Sequence, residues 1–367
     1  MTGTIQTGID LLPATGAMVQ CLDGSYNIAT ALVLDTNQTL KGCGWNTIFV
    51  ASTAYQEVIT AVGSGGSEKT GIIIADLQIN GTDSDNIDAG IRFEYVDDSV
   101  IYNVYSHGFS TGSIGAGIIL VYSDFSIVTR NLCTSNLAGI ELSSADNAII
   151  SHNNCRQNDY GIWLYDSEHN TLTINPCRLN NVHGIFLESS NHNFVSLNPC
   201  TENSQLTNNA YDDIRLAASD DNTLQGNPCR AGSQDNKPKY GININNATCN
   251  SNKVINNDLY NDGFGTGAYN DSGTDTIYVE PGIDDTPVNG ETGQPISSNW
   301  AFDHAAATPS ASVHPISANV DFNLYQATDL VVMTVANEAA LPTEGIAVGQ
   351  ICFCTAEKTF HICTAIS

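Results

Sequence analysis

From residue 116 to residue 255, apolar and polar positions recur in short bursts and show no helical stripe. Five-residue segments of the type x-Gly-Ile-x-Leu begin at Ala116 (AGIIL), Ala138 (AGIEL), Tyr160 (YGIWL) and His183 (HGIFL). A degenerate copy, DDIRL, begins at Asp212, and YGINI begins at Tyr240. A second register moves with the first: cysteines at 133, 155, 177, 200 and 229, each with an asparagine two places earlier, at intervals of 22, 22, 23 and 29 residues. A third is an asparagine ahead of the next apolar pair, at Asn147, Asn170, Asn193, Asn222 and Asn252. Three columns sharing one period mark a repeat architecture.

Each unit is too short for two helices and reads as three short strands separated by turns rich in Asn, Asp, Ser and Gly. Alternation with period two sends Ile162 and Leu164 inward and Trp163 and Tyr165 outward. Three-strand coils of ~22 residues stacked at ~4.8 Å, the ordinary strand spacing, make an all-β parallel β-helix. Equivalent residues then lie over one another. Asn175 is expected to stack on Asn198 with amides bonded along the axis, satisfying backbone groups at the bends. Cys fills a small inward slot after each bend, as a reduced thiol, since stacked Cβ vectors suit neither a disulfide nor a metal chain. The insertions at 201–211 and 231–239 are expected to bulge from corners.

Residues 8–49, GIDLLPATGAMVQCLDGSYNIATALVLDTNQTLKGCGWNTIF, resemble the first coils of tailspike and pectate-lyase-type domains. The resemblance runs over residues 5–285 and is to the right-handed parallel β-helix of the pectate-lyase-like superfamily, with phage tailspikes the nearest in kind. It implies a short capping helix, placed at residues 4–12, and leaves function open, because the superfamily holds lyases, hydrolases, epimerases and non-catalytic spikes.

The expected organisation is a cap with first coils at 1–60, the β-helix at 61–285, a Pro/Gly/Asp-rich linker at 286–299 and a small β module at 300–367. The ending GQICFCTAEKTFHICTAIS reads as a hairpin turning at Glu357-Lys358. That register would oppose His361 to Cys354 and Cys363 to Cys352, with Cys352, Cys354, His361 and Cys363 on one face. A Cys352–Cys363 bridge, a zinc site and simple packing are all open on this reading. The hairpin is similar to endings of phage tail and fibre proteins, which implies a trimer-forming or attachment module.

Composition narrows the partners. Acids outnumber bases 39 to 12, giving a net charge of −27 over 367 residues, so nucleic acid and anionic membranes are poor partners. No run approaches the ~18 apolar residues of a membrane span, and the opening residues lack the basic start and apolar run of a signal peptide. The eleven cysteines show no C-x-x-C spacing. No nucleotide loop, Ser-His-Asp motif or metalloprotease motif is present, and no cofactor is expected.

The outward positions of the Gly-Ile-x-Leu strand carry the chemistry. Trp163, Tyr165 and Phe186 form an aromatic patch flanked by Glu141, Glu188 and Arg215, the combination that sugar rings need. Glu141 and Glu188 lie two coils, ~9.6 Å, apart, near the ~6.5–9.5 Å of inverting glycosidases, with Asp166 as an alternative base. The same stripe equally suits an interface in a homotrimer. Arg156, Arg178 and Arg230, each following a ladder Cys, suit either an acidic glycan or solvated corners. The expectation is an extracellular or virion-associated spike that binds surface polysaccharide, with hydrolysis of that glycan left open by these residues. A free-standing carbohydrate-active enzyme (hydrolase or lyase) and a non-catalytic fibre or adhesin are the alternatives.

Overall fold

The computed structural model describes residues 2–13, 15–52, 57–81, 89–110, 115–259 and 263–279, and, further on, the strands at 320–322, 325–327, 332–335, 351–354 and 359–362. Contacts divide the chain into two compact units, Met1–Gly282 and Ile283–Ser367.

The first unit is a right-handed parallel β-helix with three faces. Ten strands, from Leu32–Val33 to Gly267–Asp271, pair in parallel on the first face. Strands such as Ile149–Ser151 and Thr171–Thr173 build the second face, and strands such as Asn154–Arg156 and Cys177–Arg178 the third. The register follows the repeat: Ile140 pairs with Ile162, Ile162 with Ile185, and Ile185 with Ile214. Ile, Leu, Val and Cys of all three faces meet in one continuous core that includes Cys133, Cys155, Cys177, Cys200 and Cys229. These five thiols are fully buried and free.

Two bends carry long asparagine ladders. Asn131, Asn153, Asn175, Asn198, Asn227 and Asn257 lie in one column, and the Asn175 amide donates to Asn198 Oδ1 at 3.0 Å and to the Ile150 carbonyl at 2.8 Å. The Asn175 backbone N–H reaches the same Asn198 oxygen at 2.9 Å. Each amide therefore satisfies the bend of its own coil and of its neighbour. Asn136, Asn158, Asn180 and Asn203 repeat this at the next bend, and Asp213 accepts from Asn203 at 2.6 Å at the ladder's end. At the third bend one expected member moves. Ala148, not Asn147, occupies the position of Asn170, whose Oδ1 accepts its N–H at 2.7 Å. Asn147 falls one place earlier, at a left-handed corner (φ 57); the Asn-Ala order shifts the amide off the ladder.

Every coil turns through such left-handed corners, and one holds Ile174 at φ 55, 41% exposed. A β-branched residue there is strained, whereas Asn tolerates the conformation. Ile174→Asn is expected to raise stability by about 1 kcal/mol, read as a higher urea midpoint with unchanged slope.

The capping helix spans Thr2–Asp10, two residues before the expected 4–12. Ile5 and Ile9 close the end of the core. Gln6 pairs with the first edge strand, donating to the Val33 carbonyl at 3.0 Å and accepting the Val33 N–H at 2.8 Å, so that edge is covered.

In the second unit, Ile351–Cys354 runs parallel to Val332–Val335 and antiparallel to Thr359–Ile362. The register opposes Cys352 to His361 and Cys354 to Thr359, a shift of two from expectation. Four residues, 355–358, separate the two strands in place of a two-residue turn. The Cys352–Cys363 pairing loses the opposed register it rested on; Cys363 and the linker 286–299 lie outside the described residues.

Candidate functional site

The glycines shape the first face. Gly161 and Ile162 both face the interior: a Cβ on Gly161 would lie 2.4 Å from the Gly184 carbonyl oxygen and 2.9 Å from Asn180 Nδ2. Strict alternation breaks at this point, and Tyr160 turns outward beside Trp163, their rings stacked at 4.8 Å. In later coils the same column holds His183 and Asp212, both buried. These three residues were missed by period-two reading, although the column Tyr160, His183, Asp212 stood one place before each Gly or its substitute Asp213.

The resulting strip runs along the helix axis. In register stand Arg92, Ile119, Glu141, Trp163, Phe186, Arg215 and Asn243. Its centre is aromatic: Phe186 lies 6.1 Å from Trp163, 6.0 Å from Tyr160 and 5.2 Å from His183. Tyr211, delivered by the insertion before Asp212, meets His183 edge-on at 5.5 Å. That insertion is braced by the next, since Asn236 Nδ2 donates to the Gln205 carbonyl at 2.6 Å and Lys237 N–H to Asn208 Oδ1 at 2.9 Å. Tyr165 is 47% exposed at the edge of the patch.

Charged groups close both ends. At one end Glu141 is half-buried beside Trp163, and loss of water raises its pKa from 4.5 to about 7, an effect that the charge of Arg92 moderates. Arg92 itself pairs with Glu94 at 3.0 Å and Glu57 at 3.7 Å. At the other end Asp212 is buried, its pKa raised to about 6 by desolvation against the bond from Asn243 (2.8 Å) and the Arg215 charge at 3.8 Å. Arg215 also lies over the Phe186 ring at 5.8 Å. Burial and the Arg215 charge lower the His183 pKa to about 3. The imidazole is thus neutral and its Nδ1 accepts the Asp212 N–H at 2.9 Å, which places the ring proton on Nε2.

The sequence-named residues separate on this frame. Glu141, Trp163, Phe186 and Arg215 share one column, with Tyr165 and Glu188 in the adjacent column. Glu188 is therefore displaced from Glu141 both along the axis and across it, so their backbones are ~12 Å apart, longer than the single-column ~9.6 Å. Asp166 stands off the strip: it is exposed at a left-handed corner (φ 49) and its Oδ2 accepts from Ser144 Oγ at 3.4 Å. Unspent hydrogen-bonding capacity concentrates here. Glu141 Oε2, Trp163 Nε1, Arg215 Nε and Asp212 Oδ1 are buried without a partner among the described residues. A strip with such atoms differs from a settled surface, where buried polar groups are paired.

A family profile described as "Periplasmic copper-binding protein (NosD)" matches residues 59–205, less than half of the chain. The matched coils do not suit a metal. Their cysteines are core residues set singly, coil by coil, and among the described residues no group of three His, Cys, Asp or Glu side chains is arranged to hold an ion. No curated protein sequence matches the chain. Among solved structures, the open-reading-frame 18 product of Geobacillus virus E2 superposes with a TM-score of 0.58 at 13% identity, covering 76% of this chain and 56% of that one. The full-length tailspike protein 2 of Escherichia coli O157:H7 bacteriophage CAB120 gives 0.58 at 15% identity, covering 79% and 45%. DFA-IIIase of Arthrobacter chlorophenolicus gives 0.54 at 13%, covering 78% and 86%. The chain thus spans about half the length of the two viral proteins, and what it shares with all three is the fold, a right-handed parallel β-helix.

Proposed function

We propose that the first-face strip binds a polysaccharide along the helix axis and hydrolyses it, and that the chain serves as a virion-associated or extracellular spike, assembled as a homotrimer. The observation that carries the reading is the strip's pairing of stacked aromatic rings with buried, partnerless polar atoms. The part-exposed rings of Trp163 and Tyr160 and the exposed ring of Tyr165 suit the C–H faces of sugars, with Phe186 packed beneath them, and the orphaned donors and acceptors suit hydroxyls. Supporting the spike part is the fold shared with a bacteriophage tailspike.

In this mechanism Glu141, still protonated near neutral pH, donates its proton to the glycosidic oxygen as that bond breaks. Glu188 takes a proton from water attacking the opposite face, the two side chains leaning together to reach the inverting separation of ~6.5–9.5 Å. Arg215 and Asn243 hold the buried Asp212 beneath the strip, Phe186 backs the patch, and Trp163 and Tyr165 hold the rings. Asp166, off the strip, has no step.

The test is binding and release of reducing ends on a panel of bacterial surface polysaccharides, with light scattering to read the copy number. Trp163→Ala is expected to weaken binding about tenfold, the ~1.5 kcal/mol at the upper end for one aromatic contact. Panel-wide failure to bind, or unchanged affinity in Trp163→Ala, would overturn the glycan reading and assign the stripe to packing between copies.

A further inference from the structure

We infer that the polymer lying on the first-face strip is uncharged, and that Asp212 sets this specificity by cancelling the charge of Arg215. This rests on the first face being the glycan-binding surface, and it names the class of glycan.

One coil carries the point. Where earlier coils read YGIWL and HGIFL, this one reads DDIRL. The change that brings Arg215 into the column of Trp163 and Phe186 also brings Asp212 three places before it. Arg215 Nη1 lies 3.8 Å from Asp212 Oδ2, with 26% of the Arg215 side chain exposed and 1% of the Asp212 side chain. Asn243 Nδ2 donates to the same oxygen at 2.8 Å, and Asn243 Oδ1 accepts from Asn270 at 2.9 Å. A carboxylate buried in this way keeps its cation, because drawing that cation off leaves an uncompensated charge in the interior.

The other basic groups along the strip are engaged as well. Arg92 has Glu94 at 3.0 Å and Glu57 at 3.7 Å. Lys239 Nζ stands over the Tyr240 ring at 5.2 Å, and its charge also acts on Asp212. His183 is buried and neutral, its Nδ1 accepting the Asp212 N–H. A carboxylate or sulfate on a bound polymer would therefore compete with Asp212, Glu94 and Glu57 for cations they already hold. It would also approach a chain of net charge −27. A neutral sugar meets neither cost, since its C–H faces rest on Trp163 and Tyr165. An amine-bearing sugar gains little in the aromatic column, where Asp212 is covered and engaged and Glu141 keeps its proton up to about pH 7.

The experiment is affinity electrophoresis of the full chain in gels containing neutral polymers (mannan, galactan, dextran and uncharged bacterial O-polysaccharides), acidic ones (alginate, hyaluronan and polysialate) or chitosan. The native chain is expected to be retained by a neutral polymer, equally at low and high salt, and by none of the acidic ones. Asp212→Asn keeps the side-chain shape and an acceptor for Asn243 while freeing Arg215. It should gain retention by acidic polymers at least about tenfold, the scale of one charge-assisted hydrogen bond, and the gain should fall as salt rises. Adding Arg215→Gln to that variant should remove the gain, and Asp212→Ser stands in if the Asn variant does not fold. Tighter retention of the native chain by an acidic polymer or by chitosan than by every neutral one, or no gain in the Asp212 variants, would overturn the inference. Where such acidic retention is lost in Trp163→Ala, the first-face reading survives and the charge inference alone fails. Retention by no polymer, or retention that Trp163→Ala leaves intact, overturns both.

Discussion

Glu141→Gln is expected to stabilise the fold at pH 8 by up to about 3 kcal/mol while abolishing glycan cleavage and leaving binding in place. The stability figure comes from the rise of the Glu141 pKa from 4.5 to about 7 on folding, at ~1.4 kcal/mol for each tenfold change in proton affinity. Below pH 4.5 both folded and unfolded chains keep the proton, and Glu141 is neutral in its effect. Between 4.5 and about 7 the unfolded chain ionises first, so the native residue increasingly opposes folding. Above about 7 the penalty is constant. The variant and native chains should therefore unfold at nearly the same urea concentration at pH 4 and at clearly different ones at pH 8. Cleavage by the native chain should fall as pH rises through about 7, where the donor loses its proton. Coincident unfolding curves at pH 8 would show that Glu141 ionises freely in the fold, and would remove it as the proton donor.

Gly161→Ala should destabilise the β-helix by at least about 3 kcal/mol, the upper end of overpacking costs, because the clash is with backbone. The added methyl would sit 2.4 Å from the Gly184 carbonyl oxygen, 2.9 Å from Asn180 Nδ2 and 3.2 Å from Cys177 Cβ. No side-chain rotation relieves the first contact, and moving the second breaks a ladder that runs through four coils. Gly267→Ala is the control, since its nearest neighbours lie at 3.8 Å and its urea midpoint should not change. Loss of soluble protein for Gly161→Ala alone is the same result in stronger form. Equal midpoints for the two variants would mean that the glycine column is not set by the interior.

The two predictions expose how far the repeat could be read. Coil length, the inward Ile and Leu, the buried Cys column and the Asn175–Asn198 ladder all followed from the 22-residue period, because stacking converts a sequence period directly into vertical neighbours. Asn147 failed by one place: a column of similar residues does not distinguish a ladder position from the corner beside it, and only the bond to Ala148 does. The hairpin register failed by two, because an even shift preserves alternation and the turn length is not encoded in the pattern.

By itself, then, the order of residues determined the architecture, the aromatic stripe and its flanking Glu141 and Arg215. What the tertiary structure decided is the site around them. The crowded interior leaves no room for a side chain at Gly161, and packing sets Tyr160 on Trp163 and the buried His183 against Phe186. The insertion brings Tyr211 across from a different coil. The Glu141 pKa is a property of burial, which no spacing along the chain records. Periodicity is local and survives in one dimension; exclusion of water and close approach of backbones depend on every coil stacked above and below.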